Sequence, residues 1–182
     1  KRNLRVIDAT CPLVTKVHLE SRKAAKDGFD ILLVGHEGHD EVVGTKGEAP
    51  DRTTVVDTPK DVFDLETTTK KKFVVTQTTL SVDDTASTID AIIERFPDAE
   101  IRNDICYATT NRQAAVRAIA ERAGLVIVVG SANSSNSVRL QEVAASTGTV
   151  SYRVDGLSDI DPNWYKNEDI VGLSAGASVP DS

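Results

Sequence analysis

The chain has 182 residues, a formal net charge of −7 and a pI near 5.0, and its longest basic run is the triplet Lys70, Lys71 and Lys72. It has no basic stripe of the kind nucleic-acid binding uses to displace counterions. It also has no apolar run approaching ~18 residues and no opening signal-peptide pattern, so neither nucleic acid nor membrane is expected as a partner.

In chain order, "LRVIDA" at residues 4–9 reads as a strand, and residues 14–27 carry helical periodicity. "DILLVG" (30–35), "TTVVD" (53–57) and "KFVVTQT" (72–78) read as strands, followed by a helix over 82–96. Between the first two of these lies "VGHEGHDEVVGTKGE", taken as a polar loop. The second half repeats the scheme, with a helix at 110–123, "GLVIVVG" at 124–130 and a helix at 135–146. The strands "TVSYRV" and "DIVGLS" follow, and "GASVPDS" reads as the opening of a helix. Such alternation predicts an α/β fold with mainly parallel sheets flanked by helices. Gly35, Gly130 and Gly172 are expected at strand ends, where tight turns use their freedom.

The spacing shows a repeat. Cys11 precedes Gly35 by 24 residues and Cys106 precedes Gly130 by 24, while Ser81 and Ser178 follow the two cysteines by 70 and 72. A period near 95 residues divides the chain into lobes at 1–100 and 101–182, with a boundary around 99–103. In open α/β sheets ligands bind beyond the carboxyl ends of strands, so the loops there are expected to line a common cleft.

Four serines and two asparagines crowd "GSANSSNSVRL" directly after an apolar strand. One capping residue suffices for a helix, so Ser134, Ser135 and Asn136 read as a cradle for phosphate or diphosphate at a helix N-terminus. In the first lobe His36, His39 and Glu41 cluster after a strand, a composition suited to an anion and a protonated acid or, equally, to a solvated loop. His18 falls inside a helical pattern and reads as a surface residue. Thr76, Thr78, Thr79 and Ser81 offer hydroxyls for a ligand alcohol or for helix capping. Cys11 and Cys106, without CxxC spacing, argue against a disulfide framework and for thiolates in a cytosolic setting. They suit a shared metal: zinc completed by His36 or His39, or an iron–sulfur cluster, which asks for more cysteines than two.

Six segments, "DATCPLVTKVH", "GHEGHDEVVGTKGE", "TQTTLSVDDT", "DICYATTNRQAA", "GSANSSNSVRLQEVA" and "GLSAGASVPD", together resemble the LytB family of 4-hydroxy-3-methylbut-2-enyl diphosphate reductases, in order and over nearly the whole chain. The resemblance implies a three-lobed pseudo-threefold α/β fold around a [4Fe–4S] cluster, each lobe giving one cysteine. It implies reductive removal of an allylic hydroxyl, the last step of the methylerythritol phosphate route to isoprenoids, with reduced ferredoxin or flavodoxin as electron donor. Cys11 and Cys106 are then cluster ligands, with the third cysteine outside this chain. His39 binds diphosphate, Glu41 delivers a proton, and Thr78 lies near the substrate hydroxyl with Thr109 as a neighbour. Ser134, Ser135, Asn136 and Ser178 form the diphosphate cradle. With no methionine and no first lobe, the chain is expected to be a fragment, inactive alone, of a protein of the bacterial cytosol or a plastid. A diphosphate- or nucleotide-binding module without redox activity, and a zinc hydrolase, are the competing readings.

Overall fold

The computed structural model describes residues 7–66 and 68–179, as an α/β architecture with two all-parallel sheets. The described residues divide into two compact units, one drawn from Lys1–Thr78 and Asp83–Asp104, the other from Thr79–Val82 and Ile105–Ser182. The repeat places the boundary near 100, whereas the first unit reaches Asp104 because Glu100–Arg102 pairs with Lys72–Thr76 as an added edge strand.

In the first unit, strands β1 (Asp30–Val34), β2 (Thr53–Val56), β3 (Lys72–Thr76) and β4 (Glu100–Arg102) lie in the order β2-β1-β3-β4. Helix α1 (Pro12–Lys26) precedes them, and α2 (Asp40–Gly47), α3 (Pro59–Asp64) and α4 (Val82–Arg95) connect them. Side chains alternate across a strand, so Ile31, Leu33, Phe73 and Val75 share one face. There they pack with Val17 and Ala24 of α1 and Val42 of α2. Leu32, Val34 and Val74 point the other way and are also buried, which is why these strands read as continuous apolar runs.

The second unit repeats the pattern with β5 (Leu125–Val129), β6 (Val150–Val154) and β7 (Val171–Ala175) in the order β6-β5-β7. Helices α5 (Tyr107–Ala120) and α6 (Ser135–Ser146) bury Val116, Ala120, Leu140, Val143 and Ala144 against Val126 and Val128. On the opposite face Leu125, Ile127 and Val154 are covered by Tyr152, Ile160 and Trp164, the two aromatic rings stacked at 3.9 Å.

Several expectations change. Of the strand expected at 4–9, residues 4–6 lie outside the described residues and 7–9 are irregular; Asp8 accepts the Thr10 N–H at 2.9 Å, a local turn that competes with strand pairing. The polar loop after β1 is short, because residue 40 already begins α2. The helix expected at 110–123 starts at Tyr107 and ends at Ala120. Gly172 sits inside β7 rather than at its end, where a Cβ would collide with Ile119 of α5. Residues 176–179 form a turn, and the helix opening expected beyond them lies outside the described residues.

Candidate functional site

At the tip of β1, Gly35 donates to the Val56 carbonyl at 3.1 Å, and Gln77, just beyond β3, donates to Val34 at 2.8 Å. A Cβ on Gly35 would lie 2.7 Å from Val42 Cγ2 and 3.1 Å from Gln77 Cβ, so helix α2 can sit close on the strand tips only over a glycine. Gly38, at φ +87°, turns the chain, and His39 caps α2 by accepting the Glu41 N–H on Nδ1 at 3.3 Å. Since Nδ1 accepts, the proton of the neutral ring sits on Nε2, which is left as a donor.

Glu41 Oε1 accepts the Thr78 N–H at 2.6 Å, and Thr78 is buried. Burial pushes the Glu41 carboxyl up. The Thr78 N–H and hydroxyl and the charges of His39 and His18 pull it down, and burial prevails. His39, Glu41 and Thr78 therefore come together in the first unit. His36 is held elsewhere, its N–H on Gln77 Oε1 at 3.1 Å and its Nδ1 2.9 Å from Asp57.

Cys11, exposed, is the N-cap of α1 and makes no side-chain capping bond; its carbonyl accepts from Thr15 N–H at 3.0 Å and the Thr15 hydroxyl at 3.2 Å. In the second unit Cys106 caps α5 in the same way, its carbonyl accepting from Thr110 N–H at 2.9 Å and the Thr110 hydroxyl at 3.3 Å. Partial burial raises the Cys106 thiol. Donors from the Thr109 N–H and hydroxyl and the Ala108 N–H, together with the Arg112 charge, outweigh it and hold the thiol below its ordinary range. Buried Thr109 thus serves the sulfur in this structure.

Ser134 caps α6, accepting the Ser137 N–H at 3.3 Å and the Ser137 hydroxyl at 3.0 Å. Ser135 is within 3.3 Å of the Thr79 hydroxyl. Asn136 is 8% exposed, yet neither its amide nitrogen nor its oxygen has a partner. Gly130, at φ +152°, and Gly176 clear the space beside Ser137, since a Cβ on either would collide with its hydroxyl. Ser178, exposed, lies in the turn two residues beyond Gly176.

The repeat now acquires chemical content. His39 and Ser134 occupy the same N-cap position, four residues past Gly35 and Gly130, and Glu41 and Asn136 are the second residues of α2 and α6. The strand-tip bonds recur as well: Gly130 donates to Val154 at 2.8 Å and Gly176 to Val129 at 2.9 Å. One backbone frame thus presents a carboxyl in one unit and an amide in the other.

His18 corrects its reading as a surface residue. Its Nδ1 is 3.2 Å from Glu48, its side chain is 22% exposed, and its Nε2 is buried. The signal was present in its place beside Val14, Val17 and Ser21 on the inward stripe of α1. Among the described residues no three His, Cys, Asp or Glu side chains converge on a metal-binding set. A cleft of about 300 Å³ lined by Lys70, Lys72, Arg95 and Phe96 opens at the start of β3, away from the strand tips.

The LytB protein family matches residues 1–182. A 4-hydroxy-3-methylbut-2-enyl diphosphate reductase of Rhodococcus jostii (strain RHA1) is 55% identical over 99% of this chain and 55% of its own length; one from Streptomyces avermitilis is 56% identical over 98% and 54%. The solved reductase from Plasmodium falciparum superposes with a TM-score of 0.91 at 42% identity, covering 96% of this chain and 56% of that one. A second solved (E)-4-hydroxy-3-methyl-but-2-enyl diphosphate reductase gives a TM-score of 0.59 at 32% identity, covering 99% and 65%. The chain spans about half the length of the curated relatives it matches.

Proposed function

This chain belongs to the LytB family, and we propose that it forms part of a reductase that removes the allylic hydroxyl of 4-hydroxy-3-methylbut-2-enyl diphosphate as water, consuming two electrons and two protons. The carrying observation is Glu41, a half-buried carboxyl held toward its neutral form and aligned by the Thr78 N–H at 2.6 Å. A carboxyl whose neutral form is favoured is suited to general-acid work, and Thr78 lies within its reach to relay the proton to a departing hydroxyl.

The diphosphate end belongs to α6. Its first backbone N–H groups and the positive end of its dipole favour an anion, and Ser134, Ser135 and Asn136 add short donors. His39 Nε2–H offers a hydrogen-bond donor to an anion, and Ser178 a further hydroxyl. Cys11 and Cys106 suit an iron–sulfur cluster: neither sulfur is used for capping, and donors to Cys106 favour thiolate. When bound, the cluster supplies the electrons and Lewis acidity for hydroxyl removal. A third cysteine ligand outside this chain and a reduced ferredoxin or flavodoxin complete the proposal, and the free thiols suit a cytosolic setting.

The test is a chimera in which this chain replaces the matching segment of the Rhodococcus jostii reductase, reconstituted anaerobically with iron and sulfide. Turnover is expected in the chimera and absent in the isolated chain. Glu41→Gln should slow turnover about 10²–10⁴-fold while leaving diphosphate binding near its original strength. Undiminished turnover of that variant would remove the proton-donor role.

A further inference from the structure

Arg139, on α6, is a charged side chain to which the proposed reaction gives no part. The shared frame does not need it either. Counted from Gly35 and Gly130, its counterpart on α2 is Gly44, and the counterpart of Glu142 is Gly47, so α2 forms with no side chain at either place. Arg139 is half-buried, its side chain 24% exposed. Its Nη1 donates to Glu142 Oε2 at 2.8 Å and its Nη2 to Ser81 Oγ at 3.1 Å. One planar guanidinium thus joins α6 to a serine 58 residues earlier in the chain, with both ends of its fork engaged.

Ser81 lies where the chain passes from β3 to α4. Residues Thr79–Val82 of that passage group with the second unit, and the side chains of Thr79 and Ser81 reach α6. Ser81 is 4% exposed, and a hydroxyl so buried needs a partner to offset its lost hydration, which Arg139 supplies. Thr79 is half-buried, its hydroxyl oxygen 3.3 Å from that of Ser135. Ser135 and Arg139 are the first and fifth residues of α6, four apart and therefore on one face. The turn is held on that face at two points, by Arg139 at Ser81 and by Ser135 at Thr79.

We propose that Arg139 is a positioning residue of the α6 cradle, acting through Ser81 and Thr79 on Ser135. The role rests on the reading of α6 as the diphosphate end of the site. A serine hydroxyl has one proton to donate and lone pairs with which to accept. For that proton to reach an anion, the contact with Thr79 must run the other way, Thr79 donating and Ser135 accepting. Thr79 then sets the rotation of the Ser135 hydroxyl and leaves its proton for the ligand. Arg139 keeps Thr79 in reach by anchoring the turn two residues farther on, at Ser81.

The test is a titration of this chain with inorganic pyrophosphate, followed by NMR at the amides of Ser134, Ser135 and Asn136. Arg139→Gln and Ser81→Ala should each weaken binding by about 3–10-fold, the scale of one hydrogen bond. Thr79→Val should weaken it at least as much, and Thr79→Ser, which returns the hydroxyl, should restore it. In the Thr79→Val background Arg139→Gln should change the affinity no further, because the contact through which it acts is already gone. An undiminished loss in that background, or no loss in both Arg139→Gln and Ser81→Ala, overturns the proposal and leaves the diphosphate reading of α6 standing. If pyrophosphate leaves those amides unmoved in the parent chain, the diphosphate reading itself fails and the role of Arg139 falls with it.

Discussion

At the scale of single residues, the frame depends on two glycines that hold helices against strand tips. Gly35 leaves room for Val42, the third residue of α2, and Gly130 leaves room for Ser137, the third residue of α6. Gly35→Ala puts a methyl 2.7 Å from Val42 Cγ2, too close for any real contact, so α2 must move outward. A loss of about 1–3 kcal/mol in unfolding free energy is expected by denaturant titration, the usual cost of overpacking. Because Val42 follows Glu41, the same variant should loosen the Thr78–Glu41 hydrogen bond, seen as faster amide exchange at Thr78. The glycines themselves were legible from their place after apolar runs. That Glu41 and Asn136 are equivalent positions was not, because their side chains share no chemistry and only the caps reveal the register.

At the scale of elements, the helices differ in how openly their sequences announce them. Helix α3 has Thr58 as N-cap, Pro59 in the first turn and Asp61 returning a carboxylate to the cap N–H at 2.8 Å, a complete capping box. Six residues cannot hold a helix by propensity alone, so the box and the burial of Val62 do most of the work. Thr58→Ala should cost about 1 kcal/mol, measured by chemical denaturation, with the loss confined to amides of 58–65 in hydrogen exchange. Helix α2 was hidden because its cap is a histidine and two glycines interrupt its eight residues. Near the base of the same sheet, Lys72 Nζ is held by Asp30 Oδ2 at 3.0 Å and Thr68 at 2.6 Å, and its side chain is 6% exposed. Asp30→Asn strands that ammonium and should cost about 2 kcal/mol, below the loss for a fully buried pair because Asp30 keeps 20% exposure and Thr68 remains.

At the scale of the whole molecule, the two carboxyls make opposite contributions to stability against pH. Partial burial raises the Asp30 carboxyl, but Lys72, Thr68 and Lys70 outweigh it and bring it below the ordinary 3.8, so its contribution is present above that value and lost as pH falls through the folded pKa. Glu41 is raised above 4.5 by burial, so its contribution is full below 4.5 and declines as pH rises through its folded pKa. Denaturation followed across pH should therefore show Asp30→Asn flattening the acid limb and Glu41→Gln flattening the limb above pH 4.5. Equal pH profiles for either variant and the parent would contradict the corresponding assignment.

The sequence by itself determined the α/β class, the parallel sheets, the repeat and the LytB resemblance that the family match bears out. The first three follow from periodicity, glycine placement and spacing, and the resemblance from six motifs in order, all of them local or one-dimensional properties. Only the tertiary structure decided that the half-buried Glu41 carboxyl accepts the Thr78 N–H, that Thr109 serves the Cys106 sulfur, and that His18 turns inward against Gly44. Proton affinity is set by desolvation and by neighbours distant in the chain, and neither is encoded at any single position until the helices pack.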